Sequence, residues 1–368
     1  MSKLEELIQQ YCPDGVEYRN VGDVCDIHKG IQFNKSDMKD VGGYPVINGG
    51  IKPSGYTDMY NEEENTITIS QGGASAGYVN FLESKFWLGA HCYALKPYDV
   101  VMNRYLYHYI KQNENILQQC QYGAGIPALA KSAISSLKIP VPHLPVQEEI
   151  ERVLDTFAEL QAELQAELQA RIQQYNYYRD SLLSFEGRTD VEWKKLGDVS
   201  DLGTGSHNTQ DGLIEGKYPF YTRGSEILYL NDYDYDETAI ITAGDGAGVG
   251  KVFHFVEGKY ALHQRAYRIV PNEKIMLARF VYYYIGATFY NYIMKSSVSS
   301  SVVSIRKPMM VNYPIPVPSL EEQQKIVDIL DRFDALTTDL TAGLPAEIEA
   351  RRKQYEYYRD KLLTFKQK

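Results

Sequence analysis

The run most suggestive of chemistry is a glycine-rich stretch from Gly244 to Lys251, which reads GDGAGVGK. Such a run binds phosphate when a helix follows it, because the first N–H groups of that helix then face the anion. Here the first glycine lies one residue too far from the lysine, and Val252 stands where a magnesium-binding hydroxyl is expected. The following sequence, KVFHFV, predicts a strand. We therefore interpret the run as a tight turn in which glycine lets the backbone approach a neighbour closely.

Other possible catalytic patterns are weak. Carboxylate–lysine pairs with nuclease-like spacing occur three times, which shows how common the pattern is, at Glu83/Lys85, Glu215/Lys217 and Glu257/Lys259. The seven histidines form neither an HExxH motif nor a His/Cys cluster, and the sequence contains no GxSxG. The Asn/Asp-Pro-Pro-aromatic motif of amino-methyltransferases is also missing. The sequence predicts that this chain is not an enzyme and holds neither a metal ion nor a catalytic residue.

The chain is an internal duplication. Ile139–Leu160 and Ile315–Leu336 are identical at 11 of 22 positions, and Arg171–Phe185 and Arg351–Phe365 at 10 of 15. The segments between these copies have diverged, so the order is A–h–A′–h′, with two similar h segments and two different A segments. This order divides the chain into residues 1–146, 147–186, 187–318 and 319–368.

The A segments have mixed secondary structure. Thr66–Ser70, Thr238–Ala243 and Lys251–Val256 are β-branched or aromatic runs bounded by turn residues, so we expect strands. Asn103–Cys120 and Ala278–Lys295 have apolar residues at helical spacing. An α+β fold follows for each.

The h segments predict long helices. Gln147–Ser184 contains no Gly or Pro, and at about 1.5 Å per residue it forms a rod of about 57 Å. The copy runs from Leu320 to Thr341, is interrupted at Gly343–Pro345 and then restarts. The apolar stripe of the first rod comprises Ile150, Val153, Leu154, Phe157, Leu160, Leu164, Leu168, Ile172, Tyr175 and Leu182. Two such stripes predict an antiparallel coiled coil within the chain, and a dimeric four-helix bundle is the alternative.

A low-complexity segment lies inside the first rod. Residues 158–169 read AELQ three times. Each tetrad adds about 6 Å of helix and about 40° of rotation. The segment is either ordinary helix or a ruler whose number of tetrads sets the distance between the A segments.

Charge and composition restrict the function. The net charge is −10, which argues against a protein that coats nucleic acid. Residues 147–186 have 3 basic and 9 acidic residues, however, whereas 1–146 has 12 basic and 15 acidic residues and 187–318 has 14 of each. The A segments are therefore neutral enough to meet DNA. Four unpaired cysteines, the absence of an export signal and the absence of a membrane span indicate a cytoplasmic protein.

The duplicated pattern resembles the specificity subunits of type I restriction–modification systems. The likeness lies in IPVPHLPVQEEI and IPVPSLEEQQKI, in RIQQYNYYRDSLLSF and its copy, and in GDV at Gly22 and Gly197. The AELQ tetrads are similar to short repeats in some of these subunits. The resemblance covers essentially the whole chain. It implies two duplicated α/β target-recognition domains (1–146 and 187–318), separated by a central helical spacer (147–186) and a distal one (319–368).

The resemblance also implies a non-catalytic subunit whose two recognition domains each read one half of a bipartite site in double-stranded DNA. Its helices would set the spacing and dock two modification (methyltransferase) subunits that carry S-adenosylmethionine. Two restriction subunits would use ATP and magnesium. No cofactor is expected on this chain and no membrane partner. The alternative function is a coiled-coil protein-interaction adaptor with no nucleic-acid role.

Candidate site residues were chosen by type and position. Polar residues in loops and near the glycine-rich runs are candidates for base contacts, since Arg, Asn and Gln are common readers of base edges. They are Asn34, Lys35, Asn48, Gln71, Ser75, His207, Asn208, Thr209, Arg223, Asp245 and Lys251. Tyr177 and Tyr357 fall off the apolar stripe of the helices and are candidates for contact with a partner protein.

Overall fold

The computed structural model describes residues 3–123, 125–296, 304–338 and 342–368. The chain divides into two compact units, one comprising residues 1–165 with 348–368 and the other residues 166–347. Each unit contains one A segment and parts of both helical segments. The predicted α+β class is confirmed. The four-segment division into recognition and spacer regions stays a prediction.

The first unit is built on a four-stranded antiparallel sheet. Its strands are β1 (Glu17–Asn20), β2 (Cys25–Lys29), β3 (Tyr44–Ile47), β4 (Tyr56–Thr57), β5 (Thr66–Ser70), β6 (Val79–Leu82), β7 (Trp87–Leu88), β8 (Cys92–Pro97) and β9 (Lys138–Val141). Its helices are α1 (Lys3–Tyr11), α2 (Val21–Val24), α3 (Asn103–Gln112), α4 (Glu114–Gln119), α5 (Lys131–Ser135) and the first part of α6 (Leu144–Leu182). The sheet orders are β2-β8-β5-β6, β4-β3-β7 and β1-β9. All five side chains of β5 are buried, which suits its β-branched composition.

The second unit repeats this plan with a larger sheet. Its strands are β10 (Glu192–Lys195), β11 (Ser200–Thr204), β12 (Tyr218–Tyr221), β13 (Ile227–Leu230), β14 (Tyr235–Ala243), β15 (Phe253–Leu262), β16 (Ala266–Pro271) and β17 (Pro314–Val317). Its helices are α7 (Leu196–Val199), α8 (Ala278–Ser296), α9 (Lys307–Val311), α10 (Leu320–Thr338) and the start of α11 (Leu344–Leu362). The sheet orders are β11-β16-β14-β15-β12-β13 and β10-β17.

Two predicted elements differ from the structure. The helix expected over Asn103–Cys120 is broken into α3 and α4 at Asn113, whose side chain donates to the Tyr109 carbonyl at 2.8 Å. Such local side-chain bonds compete with helix continuation. The strand expected from Lys251 begins at Phe253, because the preceding residues complete the glycine-rich turn.

The helical segments follow the prediction with adjusted ends. Helix α6 begins at Leu144, because Pro145 lies in its first turn, where the missing N–H costs no hydrogen bond. The expected end of the copy at Thr341 lies outside the described residues. Leu160 was placed on the buried stripe but is 41% exposed. At about 100° per residue Leu160 lies about 80° around the helix from Ile150, at the edge of the stripe, whereas the next two leucines of the repeat return toward it and are half-buried.

The helical segments pack antiparallel. In the second unit Tyr178 stacks on Phe333 with ring centroids 5.5 Å apart, and Arg188 pairs with Glu322 at 2.5 Å. The chain thus advances from 178 to 188 while its partner runs back from 333 to 322. In the first unit Phe157 stacks on Tyr358 in the same way, with centroids 5.4 Å apart. Each unit therefore pairs the start of one helical copy with the end of the other.

Candidate nucleic-acid interface

A polar cleft of about 570 Å³ opens on the second unit where several strands end. The loops after β11, after β12 and before β16 form its walls. The lining residues are Asn208, Thr209, Gln210, Arg223, His263, Gln264 and Arg265. Loops at the end of a rigid sheet are a common position for recognition residues.

Two arginines of this cleft, Arg223 and Arg265, form a charged cluster with Asp245, which lines the adjoining clefts. Asp245 accepts hydrogen bonds from Nη1 of Arg223 at 2.9 Å and from Nη1 of Arg265 at 3.0 Å. Burial raises the pKa of the Asp245 carboxyl, but the two guanidinium groups outweigh this and hold it below its ordinary value. The carboxylate is therefore charged at neutral pH and holds both arginines in position.

His263 supports the loop that carries Arg265. Its Nδ1 accepts the backbone N–H of Arg265 at 2.9 Å, and the backbone N–H of His263 donates to the Tyr221 carbonyl at 3.0 Å. Burial and the neighbouring Arg223 lower the pKa of this imidazole. A neutral ring is what the contact requires, because a protonated Nδ1 cannot accept.

The loop after β11 is tied to the same place. The backbone N–H of Gln264 donates to the His207 carbonyl at 2.9 Å, and the Gln264 side chain donates to Oδ1 of Asn208. The His207 ring lies 3.4 Å from Asp234, and the N–H of Asn208 donates to Asp211 at 2.7 Å. Asn208 and Thr209 thus line the cleft together with Arg223, and Thr209 also lines the adjoining cleft with Asp245.

The glycine-rich turn lines a neighbouring cleft that shares Thr209 and Arg223 with the first one. A Cβ on Gly248 would lie 2.3 Å from the Arg223 carbonyl oxygen, so glycine is required for this close approach. Gly246 and Gly250 have φ of +84° and +66°. Lys251 lies apart from the other candidates, with Nζ 5.4 Å from the ring centroid of Tyr290 on α8.

The first unit places its candidates in equivalent loops. Asn48 follows β3 and accepts the N–H of His91 on Oδ1 at 3.2 Å. Gln71 follows β5 and donates its N–H to the His91 carbonyl at 2.8 Å. Asn34 and Lys35 are exposed at a short 3-10 turn, and Ser75 is half-buried in the loop after Gln71.

Matching hydrogen bonds define which positions correspond. The backbone N–H of Gln71 donates to the carbonyl of His91, which precedes β8. In the same way the N–H of Gly244 donates to the carbonyl of Arg265, which precedes β16, and both distances are 2.8 Å. The carbonyls of Gln71 and Gly244 accept an N–H from a later segment, from Leu129 and Ile305 respectively, each at 2.7 Å. The same backbone arrangement therefore carries different side chains in the two units.

Sequence reasoning missed several lining residues. They are Gln210, His263, Gln264 and Arg265 in the second unit and His91 in the first. The signal was available in the repeat, since LHQRAY aligns with LGAHCY once the strands β8 and β16 are matched.

The A segment of each unit is fixed to a helical segment by an ion pair. Arg104 on α3 donates to Asp155 at 2.6 Å, and His108 contacts the same carboxylate at 2.7 Å. In the second unit Arg279 on α8 donates to Asp331 at 2.7 Å. Both arginines also lie over aromatic rings. Arg104 lies over Phe81 and Tyr107, and Arg279 lies over Phe255, Tyr282 and Tyr283. Such a contact limits how each A segment can turn on its helix.

Tyr177 and Tyr357 occupy equivalent positions on the helices. They are 70% and 62% exposed, and each ring lies edge-on against the next tyrosine in the chain. The prediction that they lie off the apolar stripe agrees with this exposure. Their contact with a partner stays a prediction.

Neither a metal-binding cluster nor a membrane-spanning helix occurs in the described part of the chain. Within 3–123, 125–296, 304–338 and 342–368, the side chains of His, Cys, Asp and Glu form no group of three or more that could hold a metal ion. Among those residues, no helix has the length and apolarity needed to cross a membrane.

The fold and cleft define a duplicated α+β module mounted on paired helices, and comparison with known proteins identifies its family. The model of the type I restriction modification DNA specificity domain matches residues 13–174 and 189–350. The chain belongs to this family of specificity subunits.

Individual relatives agree. A type I restriction enzyme specificity subunit of Escherichia coli is 37% identical over 272 residues, covering 64% of this chain and 65% of that protein. A putative type I restriction enzyme specificity subunit of Haemophilus influenzae is 30% identical over 379 residues, covering 95% of this chain and 96% of that protein. The crystal structure of an S subunit from M. genitalium has a TM-score of 0.68 at 21% identity, covering 95% and 96%, which shows a shared fold.

Proposed function

We propose that this chain is the non-catalytic subunit that gives a cytoplasmic type I restriction–modification complex its DNA sequence specificity. Each unit would read one half of a bipartite site in double-stranded DNA through the loops described above. The observation that carries this proposal is the pair of equivalent polar loop clusters, one per unit, which share a backbone and differ in side chains. A duplicated reader with two different surfaces fits a site with two different halves.

The helical segments would provide spacing and assembly. Two methyltransferase subunits carrying S-adenosylmethionine would dock on them, with Tyr177 and Tyr357 as contacts, and two restriction subunits would use ATP and magnesium. Exposed tyrosines suit protein interfaces because they bury a large area at small entropic cost. The adaptor alternative is disfavoured by the family match and by the cleft with its two arginines.

The test is to co-express the chain with its modification subunit and to sequence adenine methylation across the host genome. The expected result is methylation at one interrupted sequence with two short, different halves. Methylation without such a motif, or none with an active modification subunit, would contradict the proposal. DNA titration adds a second measurement, in which affinity rises sharply when the modification subunit is added. Equal affinity with and without that subunit would show that this chain by itself accounts for the DNA affinity of the complex.

A further inference from the structure

We infer that Arg223, Asp245 and Arg265 recognise a guanine in the half-site read by the second unit. This inference rests on the proposed function and names the base that one of the two surfaces selects. It assigns a reading role to Arg265 and a positioning role to Asp245.

The geometry leaves the correct edges of both arginines available. Asp245 engages Nη1 of each guanidinium, at 2.9 and 3.0 Å. The Nε and Nη2 side of a guanidinium remains, and a planar pair of N–H donors is what bonds O6 and N7 of guanine in the major groove. The Arg223 and Arg265 side chains are 40% and 63% exposed, so they can be reached from solvent, whereas Asp245 is 21% exposed.

A purely structural role does not explain the cluster. In the first unit the positions equivalent to Asp245 and Arg265 are Gly72 and His91, as the shared backbone hydrogen bonds establish. The carbonyls of Ile47 and Tyr221 also correspond, since they accept the backbone N–H of Gly89 and of His263 at 2.8 and 3.0 Å, so Gly49 occupies the position of Arg223. That unit forms the same local backbone without any of the three charges. The cluster is therefore not needed to build this part of the fold, and it belongs to the variable part of the repeat.

A phosphate grip fits the cluster less well. Phosphate contacts require net positive charge, and a carboxylate between two arginines removes half of it while repelling the anion. A carboxylate that bonds two guanidinium groups fixes the direction of their remaining donors. Recognition of a base edge requires such fixed donors. His263 adds to this restriction by holding the backbone of Arg265.

The experiment uses the complex of the full chain with its modification subunit. Arg223→Lys and Arg265→Lys keep the charge and lose the planar pair of donors, Arg265→His introduces the residue of the first unit, and Asp245→Asn removes the lock. Arg332→Lys on α10 is the control, since it makes the same exchange in the same unit away from the cleft. Thermal unfolding confirms that each variant is folded.

The complex is titrated with DNA that contains the sequence identified by methylation sequencing. In this DNA each guanine of the second half is replaced in turn by adenine or by 7-deazaguanine, which lacks N7. The wild-type complex should discriminate against these replacements at one or two positions by about 5- to 150-fold. Arg223→Lys, Arg265→Lys and Arg265→His should lose most of that discrimination, Asp245→Asn part of it, and the control none. The preference for the first half-site should stay unchanged in all variants.

Three results would overturn the inference while the proposed function stands. The first is a second half-site without guanine, and the second is unchanged discrimination in both lysine variants. The third is a loss of DNA affinity in these variants that is equal on every sequence and comes with a smaller salt dependence of binding, which marks phosphate contact. A wild-type complex that methylates no bipartite site would instead contradict the proposed function itself.

Discussion

At the level of single side chains, the cleft of the second unit depends on His263 as well as on its arginines. His263 is buried and accepts the Arg265 N–H, and burial and the nearby Arg223 lower the pKa of its ring. The chain thus positions an exposed reading residue with a buried neutral one. A protonation event at this histidine removes an acceptor directly beneath Arg265.

This histidine predicts a loss of stability in mild acid. Its pKa is lower in the folded state than the ordinary value of 6.5, so the folded chain binds fewer protons than the unfolded chain. The free energy of unfolding should therefore begin to fall as the pH drops below about 6.5 and continue to fall until the folded-state pKa is reached. Urea unfolding of the wild type and of His263→Gln between pH 7.5 and 5.5 measures this. The wild type should lose more stability than the variant over that range, and equal losses would show that His263 does not contribute.

Residue types located part of the candidate site and missed the rest for a physical reason. Asn48, Gln71, Arg223 and Asp245 follow strands, so turn signals in the sequence indicated them. Arg265 is far from Arg223 in sequence and meets it only because β12, β14 and β16 belong to one sheet. Strand order is a tertiary property that local patterns do not contain.

At the level of elements, a buried glutamine joins each recognition segment to its helix. Gln147 is fully buried, donates to the carbonyls of Val100 and Pro142 at 3.0 and 2.7 Å, and accepts the N–H of Met102 at 2.8 Å. Gln323 makes equivalent bonds in the second unit, to Ile275, Pro318 and Leu277. Both glutamines follow the repeated IPVP runs by five residues, so this similar part of the repeat carries the same contact in both units.

Replacing this glutamine should destabilise the protein strongly. Gln147→Leu keeps a similar volume but leaves buried backbone groups without a partner, at a cost of about 1–3 kcal/mol for each such group. Gln323→Leu should have an effect of similar size, and Gln173→Leu, at an exposed position of α6, should change the stability by less than about 0.5 kcal/mol. Denaturant unfolding of the three variants measures this. A stability loss in Gln173→Leu as large as in Gln147→Leu would contradict the assignment.

Element types were predictable where the pattern was long or the strand strongly β-branched. The long helices and strands β5 and β14 follow from periodicity and composition. The break at Asn113 did not, because a single side-chain bond to the Tyr109 carbonyl decides it. The rotation of Leu160 out of the buried stripe follows from helix geometry, which a simple list of apolar residues does not take into account.

At the scale of the whole molecule, the AELQ tetrads lie within the continuous helix α6. Adding or removing one tetrad changes that helix by about 6 Å and about 40°, against about 3.4 Å per base pair of DNA. We expect the spacer of the methylated sequence to change by about one to two base pairs while both halves stay the same. Methylation sequencing with two, three and four tetrads measures this. A change in either half-site would show that the tetrads do more than set a distance.

The first unit includes residues 348–368 as well as residues 1–165, which has a consequence for shorter versions of the chain. Leu363 lies in its core, Tyr18 donates to the Phe365 carbonyl at 3.0 Å, and the N–H of Val16 donates to the Lys366 carbonyl at 2.9 Å. A gene fragment encoding only residues 1–186 lacks these groups but carries their homologues at 171–186. We expect two such half-length products to complete one another by exchanging helix ends, in a homodimer with two identical reading surfaces. Its target would then be a palindrome, so truncation would yield a new specificity in place of an inactive remnant.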